Sequence, residues 1–274
     1  MFINCKGTLI DFDVPKVMGI LNITPDSFYD GGKYKTEKEL ISQTEKMLCE
    51  GAFFIDVGAY SSRPGAVDIS EEEELKRIVP VVEMLLKEFP EILLSIDSFR
   101  SKVAKNCIEA GAALVNDISG GNLDDQMLKT VAELQVPFIM MHMRGTPKTM
   151  KNLNHYDDLV PDILFYFSEK IALARKHGIS DLIIDPGFGF SKNIEQNFEL
   201  LSKLDLFKIL ELPILSGISR KSFIYKTLNA GPEDVLNGST VLNTVSLLKG
   251  AHILRVHDVK EAVECVKLTG SIQN

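Results

Sequence analysis

One local pattern recurs along this chain and sharply restricts what it can fold into. A short apolar run, rich in β-branched residues, ends on a polar residue and passes into helical sequence. LIID at 182–185 is the plainest case, with Pro186 and Gly187 breaking the chain just after the Asp185 carboxylate. Short continuous apolar runs read as buried parallel strands, because helices cover both faces of such a sheet. A carboxylate at the exit of a buried strand is costly unless paired, so it is expected to point at something it binds. The same unit recurs at KVMGILN (ending on Asn22), FFIDVG (Asp56), ILLSID (Asp97), ALVND (Asn116, Asp117) and VPFIMMHM (His142). It recurs again at LPILSGISR (with Lys221 just beyond) and HILRVH (Arg255, His257).

Helical sequence separates these runs. A helix is expected over 36–50, with Thr36 as N-cap and Glu39 three residues on. A second follows Ser70, opening on four glutamates that suit the helix dipole, with Pro80 kinking or restarting it. A third runs through SFRSKVAKNCIEA to Gly111. Further helices are expected near 124–134, 156–177, 194–203, 221–228, 238–249 and from Asp258 onward. Parallel strands need such crossovers. Eight units predict an α/β fold, a closed (β/α)8 barrel, with a doubly wound open sheet as the alternative. Residues 2–12 alternate around Lys6-Gly7, which predicts an N-terminal β-hairpin. The length, 274 residues, suits one barrel. The chain therefore reads as a single domain over 1–274, with the hairpin in 1–14 and the barrel in 15–270. Polar residues at the strand ends put the active site at the C-terminal end of the strands.

Composition narrows the partners. The net charge of −8 argues against a nucleic-acid binder, which would carry a basic stripe, so an anion site must be a local cationic cluster. Four scattered cysteines without C-x-x-C suggest neither a disulfide framework nor zinc. The N-terminus has no basic-then-apolar leader, and no run of about 18 apolar residues predicts a membrane span. A cytoplasmic location is the expectation. GFGFSK lacks both G-x-G-x-x-G and Walker A spacing. No H-E-x-x-H, G-x-S-x-G or other local nucleophile motif stands out, which suggests a chemistry driven by departure of a leaving group.

Two constellations remain. Arg255 and His257 lie on one face of the last strand, and the helix that follows presents free N–H groups nearby. They read as an anion clamp; the competing reading is a salt bridge from Arg255 to a neighbouring carboxylate. Asn22, on the adjacent strand, could give one oxygen ligand to Mg²⁺ otherwise held by water and substrate phosphates. Arg63, in the second of two long Gly/Pro-rich loops, is a third candidate cation. Asp185 and Lys221 leave neighbouring strands. They make either a plain ion pair or a donor–acceptor pair for a flat heterocycle, the carboxylate accepting two parallel N–H bonds and the ammonium donating to the adjacent carbonyl and ring nitrogen. Asp97 and Asn116 could serve the far edge of that ring, with Met140 and Phe190 as apolar surface, although a Met at such a position is more often plain core.

The chain resembles the dihydropteroate synthase family, barrels that bind pterins. GILNITPDSFYDGG (19–32), GAYSSRPGA (58–66), SIDSFR (95–100), VNDISGG (115–121), MHMRGTPKTM (141–150), DPGFGFSK (185–192), GISRKSFI (217–224) and LRVHDV (254–259) match in type and order. The resemblance implies condensation of 6-hydroxymethyl-7,8-dihydropterin diphosphate with 4-aminobenzoate to 7,8-dihydropteroate, by a dissociative route in which diphosphate leaves first. It implies that Asp97, Asn116, Asp185 and Lys221 hold the pterin. Asn22, Arg63, Arg255 and His257 would hold diphosphate and Mg²⁺. Phe28, Ser62, Arg63, Pro64 and Ser219 would frame the aminobenzoate. Catalysis would rest on Asp97, Lys221, Arg63, Arg255 and His257, and the assembly would be a homodimer. The second loop departs from the family, which more often reads G-E-S-T-R-P-G where this chain has A-Y-S-S-R-P-G; Tyr60 and Ser62 put loop order and inhibitor response in question. Two other readings are a methyltransfer module, which has no use for an anion clamp, and a non-catalytic pterin-binding paralogue.

Overall fold

The computed structural model describes residues 1–23, 33–61 and 68–273. β1 (Phe2–Cys5) and β2 (Thr8–Asp11) pair as the expected antiparallel hairpin. Its turn is Lys6-Gly7, both residues at positive φ, which gives the twist a two-residue hairpin needs. The barrel then runs β3 (Lys16–Asn22), α1 (Lys33–Cys49), β4 (Phe54–Gly58), α2 (Glu71–Glu88), β5 (Leu94–Asp97), α3 (Ser101–Glu109), β6 (Leu114–Asp117) and α4 (Met127–Leu134). It continues through β7 (Phe138–Met141), α5 (Leu159–Lys176), β8 (Leu182–Asp185), α6 (Ile194–Ser202), β9 (Leu215–Ser216), α7 (Ser222–Thr227), α8 (Leu236–Leu248), β10 (Ile253–Val256) and α9 (Val259–Gln273).

The eight parallel strands pair in the order β8-β7-β6-β5-β4-β3-β10-β9. Chain neighbours are sheet neighbours throughout, so the doubly wound alternative, which needs a reversal of strand order, is excluded. The seam between β8 and β9 closes through a bridge from Ile184 to Ile214 and the bond from Ile184 N–H to Pro213 C=O (3.0 Å). β9 is far shorter than LPILSGISR suggests, because Pro213 lacks a ladder donor. His252 Nδ1 compensates by accepting the Ile214 N–H at 3.1 Å.

Two apolar layers follow from strand alternation. One alternating set, with Val17, Ile55, Ile96, Val115 and Ile184, packs outward against the helices. Met18, Phe54, Leu114, Ile139, Ile183, Leu215 and Ile253 point inward and meet Ile3, Cys5, Ile10 and Phe12 of the hairpin. The hairpin thus plugs the N-terminal mouth and leaves the other mouth for chemistry. Each fully buried Ile, Leu or Phe contributes roughly 1.5–3 kcal/mol.

Several helix boundaries differ from the sequence reading. α1 begins at Lys33, so Thr36 lies inside its first turn and is not the cap. α2 runs unbroken through Pro80; that residue is on the exposed side, where water can satisfy the carbonyl left without a donor. Ser70 does cap α2, its Oγ accepting from Glu73 N–H at 3.2 Å. α5 begins at Leu159 and α8 at Leu236.

Candidate active site

Period two decides which strand-end residues enter the barrel. Phe54, Leu114, Ile139, Ile183 and Ile253 belong to the interior cluster. The residues two positions on, Asp56, Asn116, Met141, Asp185 and Arg255, therefore share that interior side at the C-terminal mouth. Asp97 is the register partner of Asn116 and lies on the same side. A cleft at this mouth is lined by Asp97, Asn116, Asp185, Phe190, Lys221 and Arg255, as expected, and also by Ile118, Met141 and Gly217.

Met140 is a correction. Its neighbours in register are Asp117 and Ile184, and it is fully buried in the layer between sheet and helices. The side chain that faces the cleft is Met141, clustered with Ile118, Met143, Met150 and Phe190. Two other strand-end polar groups also turn away. The Asp117 carboxylate accepts from Ser119 N–H (2.7 Å), Ser119 Oγ (2.8 Å) and Gly121 N–H (2.7 Å), closing its own loop. His142 lies just past β7, edge-on to Tyr166 with ring centroids 4.9 Å apart.

The deepest polar layer is an arginine between two carboxylates. Arg255 Nε donates to Asp56 at 2.5 Å and Nη2 donates to Asp97 at 2.7 Å. Asn116 Nδ2 donates to the same Asp56 oxygen at 3.1 Å. Here the salt-bridge reading of Arg255 holds, and the free anion clamp does not: two of its three nitrogens are engaged inside the barrel. Burial works against the Arg255 charge, but Asp56 and Asp97 outweigh it and keep it protonated. Burial pushes the Asp97 carboxyl up to about 7, against the pull of Arg255.

Asp185 and Lys221 flank Gly217. Asp185 Oδ1 accepts the Gly187 N–H at 2.8 Å. The Lys221 ammonium donates to the Phe188 carbonyl and sits 4.6 Å from the centre of the Phe190 ring. No ion pair joins it to Asp185 among the described residues, so the carboxylate keeps acceptor capacity for a ligand. Burial raises the Asp185 carboxyl, opposed by Lys221 and by the Gly187 N–H. Burial lowers Lys221 to about 8, opposed by Asp185.

His257 lies at the rim beside Ser219: Ser219 Oγ is 3.2 Å from His257 Nδ1 and accepts the His257 N–H at 3.2 Å. These two groups, assigned by resemblance to different ligands, are in contact. Asn22 ends β3 with its side chain exposed, one strand from Arg255 in the sheet order. It does not line the cleft. Phe28, Ser62, Arg63 and Pro64 lie outside the described residues, as do 24–32 and 62–67 of the two long loops. Beside the second loop, Tyr60 stacks edge-on against Phe99 at 5.0 Å, and Asp68 is bonded by Lys148 at 2.7 Å.

Sequence reasoning noticed Asp56 but gave it no role; the signal was its position two residues past Phe54, on the inward side. Met141 could have been found by the same counting from Ile139. A second cavity, of about 260 Å³, lies at the opposite end of the barrel between Asn4, Gln135 and Asp181. Its one carboxylate already accepts the Asn4 N–H at 2.9 Å, and it has none of the converging charges of the mouth.

Residues 18–257 match the model of the family described as pterin binding enzyme. The chain is 43% identical over 265 residues to dihydropteroate synthase of Escherichia coli K12, covering 96% of this chain and 93% of that one. It is 39% identical over 260 residues to dihydropteroate synthase of Bacillus subtilis, covering 94% and 88%. Among solved structures it is similar to Yersinia pestis dihydropteroate synthase in a sulfonamide drug complex, with TM-score 0.93, 41% identity and coverage of 100% and 99%. It is also similar to the Xanthomonas albilineans enzyme in complex with 7,8-dihydropteroate, with TM-score 0.88, 35% identity and coverage of 100% and 99%.

Proposed function

The chain belongs to the pterin-binding enzyme family, as a dihydropteroate synthase of folate biosynthesis, and from that premise we propose how its residues divide the reaction. The observation that carries the reading is the cleft in which Asp97, Asn116, Asp185 and Lys221 converge against Ile118, Met141 and Phe190. Asp185 accepts two parallel N–H bonds from the amino-amidine edge of the pterin, and Lys221 donates to the adjacent carbonyl and ring nitrogen. Asp97 and Asn116 meet the far edge. Met141, not Met140, gives apolar surface with Phe190.

Diphosphate departs first: the bond from the pterin methylene carbon to oxygen breaks, and both electrons leave with the diphosphate. The methylene cation is then attacked by the nitrogen of 4-aminobenzoate, which loses a proton to solvent. No base is needed to start this sequence, in keeping with the absence of a local nucleophile motif. Catalysis is then electrostatic. Asp97, held by Arg255, lies where positive charge on the ring develops. We assign the departing anion to Asn22, Arg63 and His257, with Arg255 reaching it only if it leaves Asp56 and Asp97, and the aminobenzoate to Phe28, Ser62, Arg63, Pro64 and Ser219.

The residues also fit Mg²⁺ of the kind part-held by its substrate. Asn22 is an exposed amide at a strand exit, and no cluster of three or more His, Cys, Asp or Glu suited to a metal occurs among the described residues. Asn22 would give such an ion one protein oxygen, the rest of its shell coming from phosphates and water, and the ion would supply counter-charge for the leaving group. A homodimer fits the exposed apolar side chains Val241 and Leu248 on α8 and Leu268 and Ile272 on α9, two helices packed side by side. No helix among the described residues is long and apolar enough to cross a membrane; a cytoplasmic location belongs to the same proposal.

The decisive experiment mixes the protein with pterin diphosphate, 4-aminobenzoate and Mg²⁺ and follows diphosphate release. A folded protein that releases none refutes the reading. The dissociative step is tested by omitting the amine: slow conversion of pterin diphosphate to its hydroxymethyl form is expected, and a strict amine requirement for release contradicts it.

A further inference from the structure

The residues just beyond Asp185 form a strap, 187–190, that touches the cleft twice. Phe190 lines it, and the Phe188 carbonyl receives the Lys221 ammonium. The strap has no helix or strand of its own, so something else must hold it. Lys192 bonds to it without lining the cleft. Its Nζ donates to the Gly187 carbonyl at 2.9 Å and the Phe190 carbonyl at 3.0 Å, and lies 3.1 Å from His142 Nδ1. An ammonium has three protons and no lone pair, and here three acceptors surround it. The first two are the two ends of the strap; the third belongs to the loop after β7.

We propose that Lys192 is a positioning residue for pterin recognition: by tying both ends of the strap to His142, it sets where Phe190 lies and where Lys221 finds its carbonyl. The proposal rests on the pterin-binding reading of the cleft. It assigns His142 a role as well. Burial lowers Lys192 well below its ordinary range, opposed by Asp185; when it is protonated its ammonium faces Nδ1 and the imidazole carries its proton on Nε2. Burial lowers His142 well below its ordinary range, and the charges of Lys192 and Arg144 push the same way.

Three further contacts support one fixed geometry. A Cβ on Gly187, at φ +76°, would run into the His142 carbonyl, so the strap and the β7 exit touch backbone to backbone. Gly189 N–H donates to the buried Asn197 Oδ1 of α6 at 2.6 Å, and a Cβ on Gly189 would meet Lys221 Cδ at 2.9 Å. Ser191, at φ +50°, accepts the Arg144 N–H and donates back to the Arg144 carbonyl, both at 2.9 Å. A non-glycine residue at positive φ is held there by its surroundings, and here the two loops hold each other.

The test compares pterin diphosphate binding, by calorimetry, in the wild-type protein, Lys192→Met and His142→Leu. It adds the KM for 4-aminobenzoate at saturating pterin diphosphate. The wild-type protein must bind pterin diphosphate; if it does not, the reading of the cleft fails and this inference with it. Given wild-type binding, Lys192→Met is expected to weaken pterin diphosphate binding tenfold or more and to leave the aminobenzoate KM within about twofold. His142→Leu removes one of the three acceptors while keeping the lysine, and is expected to weaken binding threefold or more with the same split. If Lys192→Met does not fold, His142→Leu decides alone. Pterin affinity within twofold of wild type in the folded variants, or equal losses for both substrates, overturns the proposal.

Discussion

Replacing Lys221 by methionine is expected to leave the protein as stable as before, or more so, while weakening its hold on pterin. The ammonium is buried enough to move from 10.5 to about 8. At 1.36 kcal/mol per pH unit, keeping it charged in the folded state at pH 7 costs roughly 3 kcal/mol. Methionine of similar length removes that cost. It also strips the Phe188 carbonyl of its donor, a loss of about 1–3 kcal/mol. The balance at pH 7 runs from near zero to about 2 kcal/mol in favour of the variant.

The pH dependence carries the signature. Unfolded, Lys221 stays protonated up to about 10.5; folded, only up to about 8. Between those values the unfolded state binds the extra proton, so this group makes wild-type stability rise with pH. The advantage of Lys221→Met is therefore full below pH 8 and shrinks from 8 to 10.5. Urea unfolding of both proteins at pH 7 and pH 10 reads the difference directly, since every other group titrates in both. Pterin binding should fall by about tenfold to a hundredfold, the worth of one charge-assisted bond of roughly 1.5–3 kcal/mol. A variant destabilised by more than about 2 kcal/mol at pH 7, or one whose relative stability grows with pH, refutes the reasoning. Either result would mean that Lys221 holds the strap more than it pays in burial.

Met140→Ala is expected to cost about 2–5 kcal/mol of stability as a core truncation with pterin affinity within twofold of wild type. Met141→Ala should lower pterin affinity severalfold; calorimetry on the two variants distinguishes outward from inward. With Asp97 raised to about 7 and Lys221 lowered to about 8, both are charged together only in the interval between. The kcat/KM for pterin diphosphate should rise with pH through about 7 and fall through about 8, and a flat profile from pH 6 to 9 would contradict the assignment of both charges to ring recognition. Arg255→Leu strands the buried Asp56 carboxylate and should cost about 3–5 kcal/mol. Adding Asp56→Asn should recover part of that loss in the same denaturation assay, and strict additivity of the two changes would count against the pairing.

Much of this architecture was readable because burial on both faces leaves a strand no choice of composition. LIID and FFIDVG read as covered strands because polar residues are missing from them, and their carboxylates were conspicuous for that reason. Which side a strand-end residue faces was harder. Apolar residues at both parities look alike, so Met140 and Met141 differ only by their offset from Ile139, whose inward direction is fixed by its packing against the hairpin-plugged interior. Asp117 and His142 misled in the opposite sense: they are polar and at strand exits, yet they serve loops behind the barrel. The Asp56–Arg255–Asp97 layer was hidden by distance, since its members come from β4, β10 and β5 and the sequence separation of Arg255 from Asp56 is 199 residues. No local pattern announces such a contact.

That layer also bears on how ring and anion would be held under the proposed assignment. Inside the mouth, Asp56, Asp97 and Asp185 face Arg255 and Lys221, and Lys192 interacts with Asp185 without lining the cleft. The carboxylates match or outnumber the cations, since burial lowers Lys192 well below its ordinary range, and Arg255 is committed to two of those carboxylates. A neutral pterin enters such a site without upsetting its balance, meeting dipoles and charges already in place, which is the preorganised arrangement electrostatic catalysis requires. A diphosphate brings several negative charges that the layer has no spare cation to meet. On the proposed assignment the counter-charge would come from outside it, from His257, Arg63 and Mg²⁺ held by Asn22. If so, raising the salt concentration should weaken binding of pterin diphosphate far more than binding of the hydroxymethyl pterin. Exposed, solvent-accessible charges are screened beyond about 10 Å at 0.1 M salt, while buried ones are not. Equal salt sensitivity of the two ligands, measured by calorimetry, would mean that the diphosphate draws on the interior charges after all and that Arg255 leaves its carboxylates to meet it.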